Sequence, residues 1–219
     1  MKSDSILLLE RTPKGLVNSY QRAVRNHSSW IEPGAKSIGV DPIILYALLV
    51  AEGSGKPIKT GRNILKLIML RNHFTKKYLA KNPGADMPWW ANKDYDGSWA
   101  VIDQAIAMDA DLAYENTSWG ISQNHAWSWR KLGFSSPKDM VQQLMASPEA
   151  QKRTFLRYIR TKKMLYDAIR TYDWWAIGRY YNGSHGGQWK YAAWLRHMYN
   201  AAVPESRRDN SHIHNSRKA

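Results

Sequence analysis

The stretch Ile38 to Gly55, IGVDPIILYALLVAEGSG, decides how this chain is read. Asp41 can accept hydrogen bonds from the free amides of a helix start, and Pro42 suits the first turn. The apolar run Ile43 to Ala51 has no polar face, which predicts a helix buried on nearly all sides. It is far shorter than the roughly 20 residues a bilayer requires. Gly53 and Gly55 end it. Glu52 therefore sits at the C-terminal end of a buried helix. Burial and the negative end of the helix dipole both raise a carboxyl pKa there. A carboxyl that stays protonated near neutral pH can serve as a general acid. Taken alone, a solvated glutamate at a helix end is the simpler reading.

Outward from this stretch, helical signals dominate. Val101, Ala105, Met108 and Leu112 predict a helix from Val101 to Tyr114. Ser136-Pro137 and Ser147-Pro148 are helix starts of the same kind as Asp41-Pro42. Asp173 caps a short helix through Tyr180, and Trp189 to Tyr199 forms the last. Residues 82–98 carry Pro, Gly, Asn and Asp and read as a long surface loop. Little of the chain alternates with period two, so sheet content is expected to be low. From Val203 the sequence is polar and basic, which predicts a flexible tail over 203–219 after one domain over 1–202.

Composition narrows the chemistry. The 219 residues include 32 Lys and Arg against 18 Asp and Glu, a net charge of +14. This favours a polyanionic partner. The absence of Cys excludes disulfides, thiolate metal sites and a cysteine nucleophile. The His residues form no ligand pattern, so no metal and no cofactor is expected. Ile6 to Leu9 is too short a run for a secretory signal, so no signal peptide and no membrane anchor is expected. The 11 Trp exceed what a core of this size needs. Aromatic faces can stack on sugars or on bases.

Two further segments could carry chemistry. Thr117 to Gln123, TSWGISQ, places Gly120 where a backbone can approach a ligand and Gln123 where an amide can hold one. Tyr180 to Gly183, YYNG, opens a helix end into a Gly-rich loop and displays Tyr181 and Asn182. Each alone reads as an ordinary turn.

In this order, the three segments resemble those of the lysozyme-like superfamily of goose-type lysozymes and lytic transglycosylases. The chain is most similar to the N-acetylmuramidase domain of bacteriophage endolysins. That family's "lgvd…LlAi..VES" is similar to IGVDPIILYALLVAEGSG, its "SASWGxxQ" to NTSWGISQ from Asn116, and its "DWxxFAxxYNGP" to DWWAIGRYYNGS from Asp173. The resemblance runs from about Ser37 to Tyr199. It implies an all-α, lysozyme-like single domain with a substrate cleft between helical lobes. It implies cleavage of the β-1,4 bond between N-acetylmuramic acid and N-acetylglucosamine in bacterial peptidoglycan, with Glu52 as catalytic acid. Gly120, Gln123, Tyr181 and Asn182 would bind substrate.

The chain departs from the family at two points. A second Glu in a "LFErH" stretch has no counterpart: Leu70 or Arg71 stands there, and no Asp or Glu occurs between Glu52 and Asp86. The Gly after the turn Gln is replaced in Gln123-Asn124-His125-Ala126. Glu115, which leads into the turn, is the first choice for a second catalytic carboxylate, ahead of Asp94, Asp96, Asp109 and Asp111, with His73 and His125 weaker. The missing Glu keeps a lytic transglycosylase, which forms a 1,6-anhydro product, as the alternative. A non-catalytic basic binder of cell wall or nucleic acid is the other.

The main reading expects peptidoglycan as partner, with anionic envelope polymers such as lipopolysaccharide beside it. It expects no nucleic acid, no membrane span and a monomer. The protein would stay in the host cytoplasm until lysis and then act on the wall.

Overall fold

A computed structural model describes residues 13–53, 55–61, 67–91, 95–183 and 188–209. The chain sorts into two compact units, the first drawn from Met1–Pro57 and Ile159–Ala219, the second from Ile58–Tyr158.

The first unit is helical. Helix α1 (Pro13–Ile38) leads through a turn into α2 (Pro42–Gly53), the helix expected from the opening stretch. Asp41 caps α2 as its sequence predicts, accepting from the Ile43 amide at 2.9 Å. Ile44 to Val50 are all buried, because α1 covers one side of α2 and α10 (Gln188–Ala202) another. Helices α8 (Lys163–Arg170) and α9 (Trp174–Asn182) complete the unit, with α9 packed on both α8 and α10. Gly178 is what lets α9 and α10 approach. A Cβ there would lie 2.6 Å from the Gln188 carbonyl and 3.2 Å from the Ala192 Cβ.

The second unit holds what the helical reading missed. Strands β1 (Leu67–Leu70), β2 (Tyr95–Asp96), β3 (Thr117–Trp119) and β4 (Asn124–His125) form an antiparallel sheet ordered β2-β1-β3-β4. In its register Ile68 faces Ser118 and Ser118 faces His125. Helices α3 (Arg71–Lys81), α4 (Trp99–Met108), α5 (Ala110–Glu115) and α6 (Pro137–Ala146) accompany it, and α7 (Pro148–Thr161) follows. Met69, Phe74, Trp90, Ile102, Trp119 and Val141 lie in its core. The single helix expected from Val101 to Tyr114 breaks at Asp109. Asp109 is extended, accepts from the Leu112 amide at 3.0 Å and pairs with Lys81 at 2.9 Å. A short carboxylate that can cap from within a helix competes with the helix itself.

The expected tail also departs from its reading. Val203 is buried, and Glu205–Arg207 form a short 3-10 turn. Arg207 donates to Asp41 Oδ2 at 2.8 Å, and the Trp174 indole donates to Asp209 at 2.5 Å. Arg207 and Asp209 find partners on α9, α10 and at Asp41, which composition cannot register. The remainder, 210–219, lies outside the described residues. Among the described residues, no helix is long and apolar enough to cross a membrane.

Candidate active site

Glu52 occupies the last turn of α2 and is half-buried. The preceding turns are locked in the core, so the carboxyl stands on a rigid base. The Tyr191 hydroxyl donates to Glu52 Oε1 at 2.9 Å. Tyr191 itself is 2% exposed. A buried phenol needs a partner for its hydroxyl, and the Glu52 carboxyl is that partner. The sequence motifs do not include Tyr191. Its one signal is a Tyr among the core-facing positions 191, 192, 194, 195 and 198 of α10.

Tyr181 and Asn182 end α9, as their motif predicts. The Tyr181 ring lies parallel to that of Tyr191, centroids 6.3 Å apart and planes at 15°. Asn182 is exposed, and Gly183 closes the helix by donating to the Arg179 carbonyl at 3.2 Å. The Lys162 ammonium donates to the Tyr180 carbonyl and holds the same helix end. Burial pushes the Lys162 pKa down. Glu52, Tyr181 and Asn182 thus fall in one unit, with Tyr191 as the link. Residues 184–187 lie outside the described residues.

The other expected residues belong to the second unit. Gly120 and Gln123 form the tip of the β3–β4 hairpin, with φ of 70° and 48°. Gln123 accepts from the Ser118 hydroxyl at 3.1 Å and donates to the Gly120 carbonyl at 2.8 Å. Its amide, expected to contact substrate, braces the hairpin. The buried Gln151 holds the tip from behind. It accepts from the Ile121 amide at 3.0 Å and donates to Lys59 and Leu144 carbonyls at 2.7 and 2.9 Å.

Glu115 ends α5 and is half-buried. With Asp109 and Asp111 it makes up the negative charge that raises the Lys81 pKa, to which the Asp109 hydrogen bond contributes most. Asp109 is committed to its cap and ion pair. Asp94 and the Asp96 side chain lie outside the described residues. Arg71, one of the two residues standing where the family pattern carries Glu, is 5% exposed at the start of α3.

The tryptophans divide. Trp90, Trp119 and Trp174 are core, with Trp90 donating to Gln104 at 2.9 Å. Trp89 and Trp127 are exposed by 70% and 46%. Trp127 stacks on His125 with centroids 4.0 Å apart, and Lys77 lies 5.7 Å from its centroid. Among the described residues, no group of three or more His, Asp or Glu side chains could hold a metal ion.

The N-acetylmuramidase family matches residues 45–202, which span Glu52, the hairpin, the end of α9 and Tyr191. The chain belongs to the N-acetylmuramidase family. It is a glycoside hydrolase of bacterial peptidoglycan, and N-acetylmuramidases cut the β-1,4 bond between N-acetylmuramic acid and N-acetylglucosamine. Among solved structures, the chain is similar to the endolysin of Burkholderia phage AP3, with a TM-score of 0.62 and 21% identity over 78% of this chain and 69% of that one. That likeness concerns the fold. No curated protein matches the sequence. For this N-acetylmuramidase, the family match carries the activity.

Proposed function

We propose that Glu52 is the general acid of an endolysin-type N-acetylmuramidase that lyses its bacterial host. The observation that carries this reading is the Tyr191 hydrogen bond to Glu52 at the end of a fully buried helix. It holds Glu52 Oε1 and orients the carboxyl at the helix end. In the reaction, Glu52 gives its proton to that oxygen as the bond to the anomeric carbon of N-acetylmuramic acid breaks. Water adds to the carbon, which has oxocarbenium character, and a base takes the water's proton. Inversion with a second carboxylate requires a separation of about 6.5–9.5 Å so that water fits. Glu115 is the carboxylate we assign to that base, since it ends the helix feeding the TSWGISQ hairpin and Asp109 is committed elsewhere. Tyr181, whose ring lies beside that of Tyr191, and Asn182 are assigned to glycan binding, as is the Gly120 backbone. Gln123 sets the hairpin's shape.

The protein acts as a monomer in this reading, with Tyr191 and Glu52 paired within one chain. The net charge of +14 draws the protein to anionic envelope polymers such as lipopolysaccharide. Synthesis in the host cytoplasm followed by access to the wall at lysis fits an endolysin, the type of protein whose fold this chain shares.

The test is Glu52→Gln with purified peptidoglycan. Turnover is expected to fall by at least about a hundredfold, at the low end of general-acid contributions, with circular dichroism unchanged. Mass spectrometry of wild-type products should show reducing N-acetylmuramic acid ends. Products lighter by one water would identify a transglycosylase, and wild-type turnover by Glu52→Gln would remove Glu52 from the mechanism.

A further inference from the structure

We infer that Asn26 and His27 of α1 are positioning residues for Glu52, acting through the chain that follows it. This rests on the reading of Glu52 as the general acid. Glu52 stands in the last turn of α2, where helices begin to fray because the final carbonyls lack partners within the helix. What holds this end is α1, which precedes the family-matched residues 45–202. The Asn26 amide donates to the Gly55 carbonyl at 2.9 Å. His27 Nε2 lies 2.9 Å from the Lys56 carbonyl, and the Trp30 indole donates to His27 Nδ1 at 3.3 Å.

These two partners settle the state of the ring. A carbonyl only accepts, so Nε2 carries a hydrogen. An indole N–H only donates, so Nδ1 carries none. His27 is therefore neutral, with its proton on Nε2, and it is 1% exposed. The backbone fits the same clamp. Gly55 has φ of +65°, and a Cβ there would lie 2.7 Å from the Ala23 Cβ and from the Ser19 carbonyl. The chain after Glu52 is pressed against α1 at a spacing that no side chain allows. The Lys56 amide closes the turn by donating to the Gly53 carbonyl at 3.2 Å. Two side-chain bonds and one close approach thus hold Gly55 and Lys56, three and four residues after the acid, against α1.

Positioning of this kind acts on turnover more than on substrate affinity, since a loosened acid still binds glycan but meets the scissile oxygen less often. Asn26 is exposed, and alanine is the better helix former at its position, so Asn26→Ala separates positioning from stability. In the full-length chain, Asn26→Ala is expected to lower kcat about fivefold on soluble peptidoglycan strands, with KM within about twofold and an unchanged or higher Tm. His27→Leu should lower kcat and Tm together. His27→Gln, which keeps one donor and one acceptor, should restore most of the kcat.

Glu52→Gln measured alongside distinguishes the two failures. If Glu52→Gln turns over like wild type, the reading of the acid is wrong and the clamp falls with it. If Glu52→Gln is inactive while Asn26→Ala and His27→Leu keep wild-type kcat, the clamp alone is overturned. A loss in Asn26→Ala that appears in KM or tracks a lower Tm also overturns it.

Discussion

The Tyr191 hydroxyl donates to Glu52 Oε1 at 2.9 Å, joining residues 139 apart in sequence. The bond holds one carboxyl oxygen, Oε1, against a buried tyrosine. Tyr191→Phe preserves the ring that packs beside Tyr181 and removes only this donor. Hydrogen bonds involving charged groups contribute about 1.5–3 kcal/mol, and water reaching the half-buried carboxyl restores part of that. We therefore expect kcat to fall roughly three- to tenfold with KM little changed and Tm within a few degrees, read from steady-state kinetics and thermal unfolding. Wild-type kcat in Tyr191→Phe would show that Glu52 is aimed by other contacts.

Gly178 sets the spacing that lets α10 carry Tyr191 to this position. The atom a new Cβ would meet first is a backbone carbonyl, that of Gln188, at 2.6 Å, so no side-chain rotation can relieve the clash. Gly178→Ala should force α9 and α10 apart. Overpacking of this kind typically costs about 1–3 kcal/mol. For a chain of this size each kcal/mol corresponds to roughly 2–4 °C in Tm. Activity measured well below the new Tm should also fall, since Tyr181 and Tyr191 ride on the two helices. A stability loss with full activity would separate helix spacing from the site.

Short stretches of the sequence carry much of this. Asp41, Ser136 and Asp173 each cap the helix their sequence marks, because a cap depends on residues within one turn. Glu52 at the end of a buried helix is legible for the same reason. What escapes a local reading is long-range. Leu67–Leu70 is a strand only because Thr117–Trp119 and Tyr95–Asp96 pair with it, and nothing within its four residues says so. Asp109 breaks a periodic helix by capping the Leu112 amide, and its other partner is a lysine on α3. Asn26, His27 and Tyr191 take their meaning from partners distant in sequence. The Gln123 amide also closes on its own hairpin, a pairing its motif does not display.

Alkaline conditions should unfold the first unit through its tyrosines. Tyr20 is pushed up to about 12, first by burial and then by Asp41 and Glu32. Tyr172 is pushed up to about 12 by burial, then by Asp41, and burial likewise raises Tyr46. In the unfolded chain these phenols lose protons near pH 10. Between about pH 10 and 12 the folded state therefore holds more protons than the unfolded state, and stability falls as pH rises through that window. Denaturant midpoints measured from pH 9 to 12 should decline, and Tyr20→Phe or Tyr172→Phe should flatten the decline. A flat wild-type profile would mean that these phenols titrate normally.

The unit that carries Glu52 is not continuous in the chain. Its parts lie before Pro57 and after Ile159, with about a hundred residues of the second unit between them. During translation, Glu52 and the α1 clamp leave the ribosome before the second unit, whereas Tyr181, Asn182 and Tyr191 leave after it. A partial product can form the sheet unit, which is contiguous from Ile58 to Tyr158, but cannot complete the surroundings of the acid. On the proposed assignment of Glu52, a nascent chain stalled before α9 carries the acid without Tyr191.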